Sequence, residues 1–332
     1  MTSLRTLGTS DLHVFPLALG GNVFGWTADE AQSFAVLDAY AAAGGNFVDS
    51  ADVYSAWAEG NEGGESETVI GRWLASRGNR DDVVVATKVG SHPRFKGLSA
   101  PTIKAAAEES LRRLGTDRID LYYTHFDDES VPVEEIVTAL DQLVRDGKVR
   151  AVAASNISPE RLRASLDFAE AEGLARYVAL QPHYNLVSRE TYEGPLLETA
   201  ERAGLAAVPY YGLASGFLTG KYRPGTTVDS ARAAGAGKHL DTERGRAVLS
   251  ALDAVAGAHG AEPASVALAW LASRPTVVAP IASARTVEQL PALVASADLT
   301  LTEEELTLLT EASEASEISE ASEAAGTSEA RG

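Results

Sequence analysis

Short apolar runs alternate along the chain with longer stretches in which apolar residues recur at helical spacing. The runs lie at residues 17–19, 47–49, 83–87, 119–123, 149–153, 177–180, 206–208 and 277–280, and each predicts a strand. The amphipathic stretches 31–43, 65–76, 101–114, 133–146, 159–171 and 195–203 between them predict helices. Two of these helices have legible starts, with Ser99 ahead of Pro101 and Ser158 ahead of Pro159. A serine hydroxyl there accepts from a free N–H of the first turn, and proline has no N–H to waste. Ahead of the alternation, extended segments 5–7 and 12–15 flank the turn Gly8-Thr9-Ser10-Asp11 and predict a β-hairpin.

Eight β segments alternating with helices predict one α/β domain with a parallel sheet. Such a sheet is either open and doubly wound or closed as a (β/α)8 TIM barrel. An open sheet that binds a dinucleotide usually carries G-x-G-x-x-G after its first strand, and that spacing occurs nowhere here. The barrel is therefore the expected closure, as a single domain over residues 1–316. The polar stretch 218–247, with Gly225, Gly235, Gly237 and Gly245, predicts an excursion over the barrel mouth. A helix begun at Thr302 is expected to end near Ser316. Residues 317–332 are an acidic Glu/Ala/Ser tail expected to be disordered.

The composition, 45% apolar and 23% charged over 332 residues, is that of an ordinary globular protein. No apolar run reaches eighteen residues, so a membrane span is not expected. The polar N-terminus lacks the pattern of a signal peptide, which makes the cytoplasm the default location. There is no cysteine, which excludes disulfides, thiolate zinc sites and a cysteine nucleophile. The six histidines show no metal-ligand spacing, and no metal is expected. A net charge of −19 repels nucleic acid and anionic lipid, so neither is an expected partner. Any phosphate-bearing ligand must be met by local cations or helix N-termini. Oligomeric state leaves no signal in the sequence.

A (β/α)8 barrel places its active site at the C-terminal ends of the strands. The polar residues there are Asp49, Lys88, His125, Ser155, Asn156, Gln181, Tyr210, Ser283 and Arg285, in strand order from the second to the eighth. With Tyr54 added, four of them make one chemistry. Reducing a carbonyl by hydride requires a proton for the developing alkoxide. A phenol, with an ordinary pKa of about 10, is a poor acid unless a lysine ammonium favours its anion. An aspartate can hold that lysine charged, and a histidine can orient the carbonyl oxygen. Gly212-Leu213-Ala214-Ser215-Gly216 does not keep the spacing of a hydrolase nucleophile elbow, which removes that alternative.

The contexts of these residues are Asn46-Phe47-Val48-Asp49-Ser50-Ala51-Asp52-Val53-Tyr54, Val84-Val85-Ala86-Thr87-Lys88-Val89-Gly90 and Ile119-Asp120-Leu121-Tyr122-Tyr123-Thr124-His125. Further segments are Gly147-Lys148-Val149-Arg150, Ser155-Asn156-Ile157-Ser158, Gln181-Pro182-His183-Tyr184-Asn185, Leu218-Thr219-Gly220-Lys221-Tyr222 and Ser283-Ala284-Arg285-Thr286-Val287-Glu288-Gln289-Leu290. Together and in this order they resemble the aldo-keto reductase family over about residues 4–313.

That resemblance implies an NADP-dependent oxidoreductase that turns an aldehyde or ketone into an alcohol, with a small-molecule carbonyl as its partner. It implies Tyr54 as general acid, Lys88 and Asp49 as its ion-pair support, and His125 as the carbonyl-orienting group. It implies Ser155, Asn156 and Gln181 on the nicotinamide carboxamide and Tyr210 stacked on its ring. The loop with Leu213, Ser215 and Leu218, together with Lys221, resembles the family's pyrophosphate contacts. Ser283, Arg285 and Gln289 match the adenosine end, where a guanidinium suits a 2′-phosphate. The chain departs from the family at Leu293, where an Asn is common, and in the turn Tyr210-Tyr211-Gly212-Leu213, where a Ser-Pro pair is common. A second function remains open on the same resemblance: a nucleotide-binding regulatory subunit similar to channel β-subunits, with vestigial chemistry. Trp26, Phe24, Trp57 and Phe126 lie in post-strand loops and fit either the wall of an apolar pocket or simple packing.

Overall fold

The structure is a computed structural model that describes residues 2–228 and 233–314. Strands β1 (Arg5–Thr6) and β2 (His13–Val14) pair antiparallel as the expected hairpin. Eight parallel strands follow: β3 (Ala18–Gly20), β4 (Phe47–Asp49), β5 (Val84–Val89), β8 (Ile119–Thr124), β9 (Val149–Ser155), β10 (Tyr177–Gln181), β11 (Ala206–Ala207) and β12 (Ile281–Ala282). Their order is β11-β10-β9-β8-β5-β4-β3-β12. The circle closes where Ala207 bridges Val277 and where the Val278 N–H donates to the Ala207 carbonyl at 2.9 Å. The architecture is the (β/α)8 barrel. A small hairpin, β6 (Ser91–His92) with β7 (Phe95–Lys96), sits over the mouth after β5 and has no counterpart in the apolar pattern.

The helices are α1 (Glu30–Ala42), α2 (Glu65–Arg77), α3 (Ala100–Leu114), α4 (Val133–Arg145), α5 (Pro159–Glu172) and α6 (Pro195–Ala203), close to expectation. Ser99 and Ser158 cap α3 and α5 through the N–H groups of Thr102 and Arg161. After them come α7 (Ala233–Gly237), α8 (Glu243–His259), α9 (Pro263–Ala272), α10 (Leu290–Val294) and α11 (Glu303–Glu314). The helix expected from Thr302 is α11, with Thr302 and Glu305 capping each other. Ser316 and the tail lie outside the described residues.

Two expectations need correction. The eighth strand is β12, not 277–280. Proline has no N–H to give a ladder, so Pro280 only accepts, from the Ala18 N–H, and pairing with β3 begins at Ile281. The excursion expected over 218–247 ends at Thr242, whose hydroxyl accepts from the Gly245 N–H and starts α8.

Two cores sandwich the sheet. Inside the barrel, Phe47, Ala86, Leu121, Tyr123, Ala153 and Ala179 form one layer. Leu7, Leu12 and Val14 of the hairpin belong to that cluster and plug its base. Outside, Val48, Val85, Val89, Tyr122 and Val152 pack against the helices. Strand residues are thus buried on both faces, which is why they read as continuous apolar runs. No helix among the described residues is long and apolar enough to cross a membrane.

Candidate active site

Side chains along a strand alternate between faces, so the residue two places after an interior one also points inward. Phe47, Ala86, Tyr123, Ala153 and Ala179 form the interior apolar layer. Two residues further toward the C-terminal end of each strand stand Asp49, Lys88, His125, Ser155 and Gln181. The period of two converts a ring of apolar groups into a ring of polar ones at the mouth.

Lys88 organises this ring. It is fully buried, and its three donors are all used: Nζ donates to Asp49 Oδ2 at 2.7 Å, to the Ser50 carbonyl at 2.6 Å and to the Tyr54 oxygen at 3.0 Å. Burial pulls the Lys88 pKa below the ordinary lysine value, while Asp49 opposes that shift. The Asp49 carboxylate is also held through Oδ1, which accepts from Gln181 Nε2 at 2.9 Å. The Tyr54 hydroxyl reaches Asp49 Oδ2 only at 3.4 Å. That weak contact is easily exchanged for a carbonyl oxygen. An ammonium on the phenol oxygen stabilises the anion that proton release leaves behind.

His125 packs edge-on to Tyr54, with ring centroids 6.1 Å apart. Burial, assisted by the Lys88 ammonium, lowers its pKa to about 3. Its Nδ1 is buried with no hydrogen-bond partner among the described residues. The imidazole is therefore neutral across physiological pH. Because the unfolded imidazole titrates near 6.5, His125 contributes stability above that pH and loses it as pH falls from about 6.5 to 3. For catalysis we expect kcat/KM to show no limb near pH 6.5 and to fall on the alkaline side, below the ordinary lysine range, as Lys88 loses its proton. A pH–rate profile checks this; an acid limb near 6.5 would mean that a titrating histidine controls the rate.

The expected cofactor residues fall into two groups. Around Asn156 a chain of contacts forms: Ser155 Oγ donates to the Gln181 carbonyl at 2.8 Å, Asn156 Nδ2 to the His125 carbonyl at 2.8 Å, and the Tyr210 hydroxyl to Asn156 Oδ1 at 2.8 Å. Tyr210 is half-buried, with His183 stacked on its ring at 5.3 Å. Ser155, Asn156, Gln181 and Tyr210 are therefore one connected wall.

The second group lies along the loop after β11 and at β12. Ala214, Ser215 and Gly216 are consecutive left-handed residues, with φ of 47°, 57° and 98°. Two such non-glycine residues cost about 1–3 kcal/mol each, which the surrounding packing must offset. A Cβ on Gly216 would stand 3.3 Å from the Lys221 ammonium, so that cation lies directly over the turn. Leu213 opens the loop and Leu218 is buried beneath it. Ser283 Oγ donates to Asn22 Oδ1 at 2.7 Å, and the Arg285 N–H donates to Gln289 Oε1 at 2.9 Å. Leu293 is buried in the core through α10, which accounts for a leucine there on packing grounds.

Of the four aromatics, Phe24 is fully buried and belongs to the outer core. Trp57 and Phe126 are half-exposed at the mouth, and Trp26 sits against Trp57. Sequence reasoning also missed a buried polar layer behind Lys88. Thr87 donates to Glu67 Oε1 at 2.5 Å, and Arg113 Nε to Glu67 Oε2 at 2.6 Å. Asp52 gives its backbone N–H to the Lys88 carbonyl, while neither of its carboxyl oxygens has a hydrogen-bond partner among the described residues. Burial, reinforced by Glu67, pushes the Asp52 carboxyl well above the usual range. The signal was present in Asp52 itself, an acid placed between Asp49 and Tyr54. No group of acids and histidines able to hold a metal occurs among the described residues.

A barrel with these residues at its mouth has relatives. Residues 16–314 match the profile described as Aldo/keto reductase family. The Uncharacterized oxidoreductase YrpG of Bacillus subtilis (strain 168) is 35% identical, covering 92% of this chain and 94% of its own. Norsolorinic acid reductase stcV of Emericella nidulans is 33% identical over 89% of this chain and 77% of its own. Protein tas of Escherichia coli (strain K12) is 32% identical over 90% and 93%. By the extent of these matches, the chain belongs to the aldo/keto reductase family.

Proposed function

We propose that this protein reduces an aldehyde or ketone to the alcohol with NADPH. The observation that carries the reading is the Tyr54 hydroxyl held 3.0 Å from a buried, fully bonded Lys88 at the barrel mouth. A relative named as a norsolorinic acid reductase is in keeping with it.

A dihydronicotinamide held at the mouth would supply the hydride for the carbonyl carbon. As the C=O pair moves onto oxygen, Tyr54 gives that oxygen its proton, and Lys88 stabilises the tyrosinate left behind. His125, a neutral imidazole beside Tyr54, would donate a hydrogen bond that orients the carbonyl. Ser155, Asn156 and Gln181 would hold the carboxamide, with Tyr210 against the ring. The strained turn at Ala214–Gly216 and Lys221 would hold the pyrophosphate, offsetting the repulsion of an acidic chain. A nucleotide-sensing subunit would also need that turn, and the fully bonded Tyr54–Lys88–Asp49 set argues against the loss of activity that such a role allows.

Arg285 is our candidate for the residue that favours NADPH over NADH, because it matches the family's adenosine end and a guanidinium pairs well with a 2′-phosphate. Arg285→Ala is expected to raise the KM for NADPH about tenfold, the size of one lost charge-assisted contact, and to leave that for NADH nearly unchanged. Initial rates with both cofactors check this. An equal rise for both would remove the 2′-phosphate assignment.

A further inference from the structure

We propose that Asp52 is a positioning residue for the reduction, acting on Lys88 so that Tyr54 keeps its ammonium partner in alkaline solution; this rests on the carbonyl-reductase reading above. Asp52 lies between Asp49 and Tyr54 in sequence, and its backbone N–H donates to the Lys88 carbonyl at 3.1 Å. The side chain is fully buried, yet neither carboxyl oxygen has a hydrogen-bond partner among the described residues. Burying a polar group without bonds is costly, so contacts do not account for an acid at this place.

Charge does. Glu67 of α2, Arg113 of α3, Lys88 of β5 and Tyr122 of β8 face Asp52, and Asp49 shares its segment. Arg113 is bonded to Glu67 and Lys88 to Asp49, which makes Asp52 the acid in excess of these two buried cations. His92 of β6 lies against the same layer, and burial together with Arg113 lowers its pKa, so it adds no cation above neutrality. The loop after Tyr54 is packed tightly onto these groups. A Cβ on Gly63 would stand 2.8 Å from His92 Cδ2, and one on Gly64 would stand 2.4 Å from Arg113 Cδ. Charges enclosed in this way are poorly screened and act on each other strongly. Burial and Glu67 keep the Asp52 proton in place at low pH, against Arg113, a poorly aligned Val53 N–H and Lys88. As pH rises Asp52 ionises, and its charge favours the Lys88 ammonium. Its effect therefore falls on the alkaline side, where that ammonium is lost.

The test compares pH–rate profiles of NADPH oxidation by the parent, Asp52→Asn and Asp52→Glu proteins, using whichever of benzaldehyde, butanal and cyclohexanone the parent reduces fastest. Asp52→Asn keeps the shape and removes the charge. It is expected to move the alkaline limb to lower pH by about one unit, so that kcat/KM above the limb falls about tenfold and the loss shrinks below it. Asp52→Glu keeps the charge and is expected to hold the limb near its parental pH. Carbon NMR of protein labelled at lysine Cε gives a readout apart from turnover. The Lys88 signal, identified by its absence in Lys88→Met, should titrate at lower pH in Asp52→Asn by the same interval. An unmoved limb and Lys88 titration, a loss of rate equal at every pH, or an equal shift in Asp52→Glu overturns the electrostatic role. An Asp52→Asn protein that does not fold overturns it as well, because the carboxyl would then be structural. Absence of NADPH oxidation by the parent with all three carbonyl compounds overturns the reading on which the proposal rests, and the Lys88 titration still decides the role of Asp52.

Discussion

Phenylalanine in place of Tyr54 is expected to lower kcat by about 100- to 10,000-fold, the usual worth of a positioned general acid. The substitution removes one oxygen and retains the ring that packs against Trp57 and His125. Cofactor affinity should stay within about twofold, because the proposed cofactor wall runs through Ser155, Asn156, Gln181 and Tyr210 and needs no phenol at position 54. Single-turnover rates followed by NADPH absorbance, with a fluorescence titration for the Kd, separate the two quantities. A kcat within tenfold of the parent would mean that another group delivers the proton.

The second large effect concerns the buried ion pair. Lys88→Met strands the Asp49 carboxylate, which is 1% exposed and keeps only the Gln181 amide as a strong partner. Leaving one buried charge without its opposite costs about 3–5 kcal/mol, so the urea midpoint should fall by that equivalent at constant m. Activity should fall at least as far as in Tyr54→Phe. A double variant, Asp49→Asn with Lys88→Met, removes both charges and should regain most of the stability while remaining inactive. Full activity in the double variant would show that the pair is structural alone.

These effects were legible in sequence because strand spacing is rigid. Once residues 47–49, 83–87 and 119–123 read as strands, Asp49, Lys88 and His125 fall at strand ends, and chain topology does the rest. Tyr54 was legible only in its motif, since it lies in a turn region whose path depends on tertiary contacts. Helix α9 escaped the pattern because Pro263–Ala272 is buried almost all round, which erases the polar stripe that marks an amphipathic helix. The eighth strand shifted because Pro280 delays pairing, a one-donor effect that hydrophobicity does not report. Phe24 and Trp57 look equivalent in sequence, each an aromatic in a loop after a strand. Packing assigns Phe24 to the core and Trp57 to the mouth, and no local pattern encodes that choice. The Asp52–Glu67–Arg113 layer was hidden because it brings together residues as far as 61 positions apart.

Hydride is expected to enter the substrate carbon in the site where Tyr54 supplies the proton. NADPH dideuterated at C4, mixed with an aldehyde substrate and the parent protein, tests this through mass analysis of the alcohol. One deuterium at the carbinol carbon is expected, formed at the rate of NADPH loss and slowed at least 100-fold in Tyr54→Phe. Alcohol without the label, or label arriving equally fast without the phenol, would contradict it.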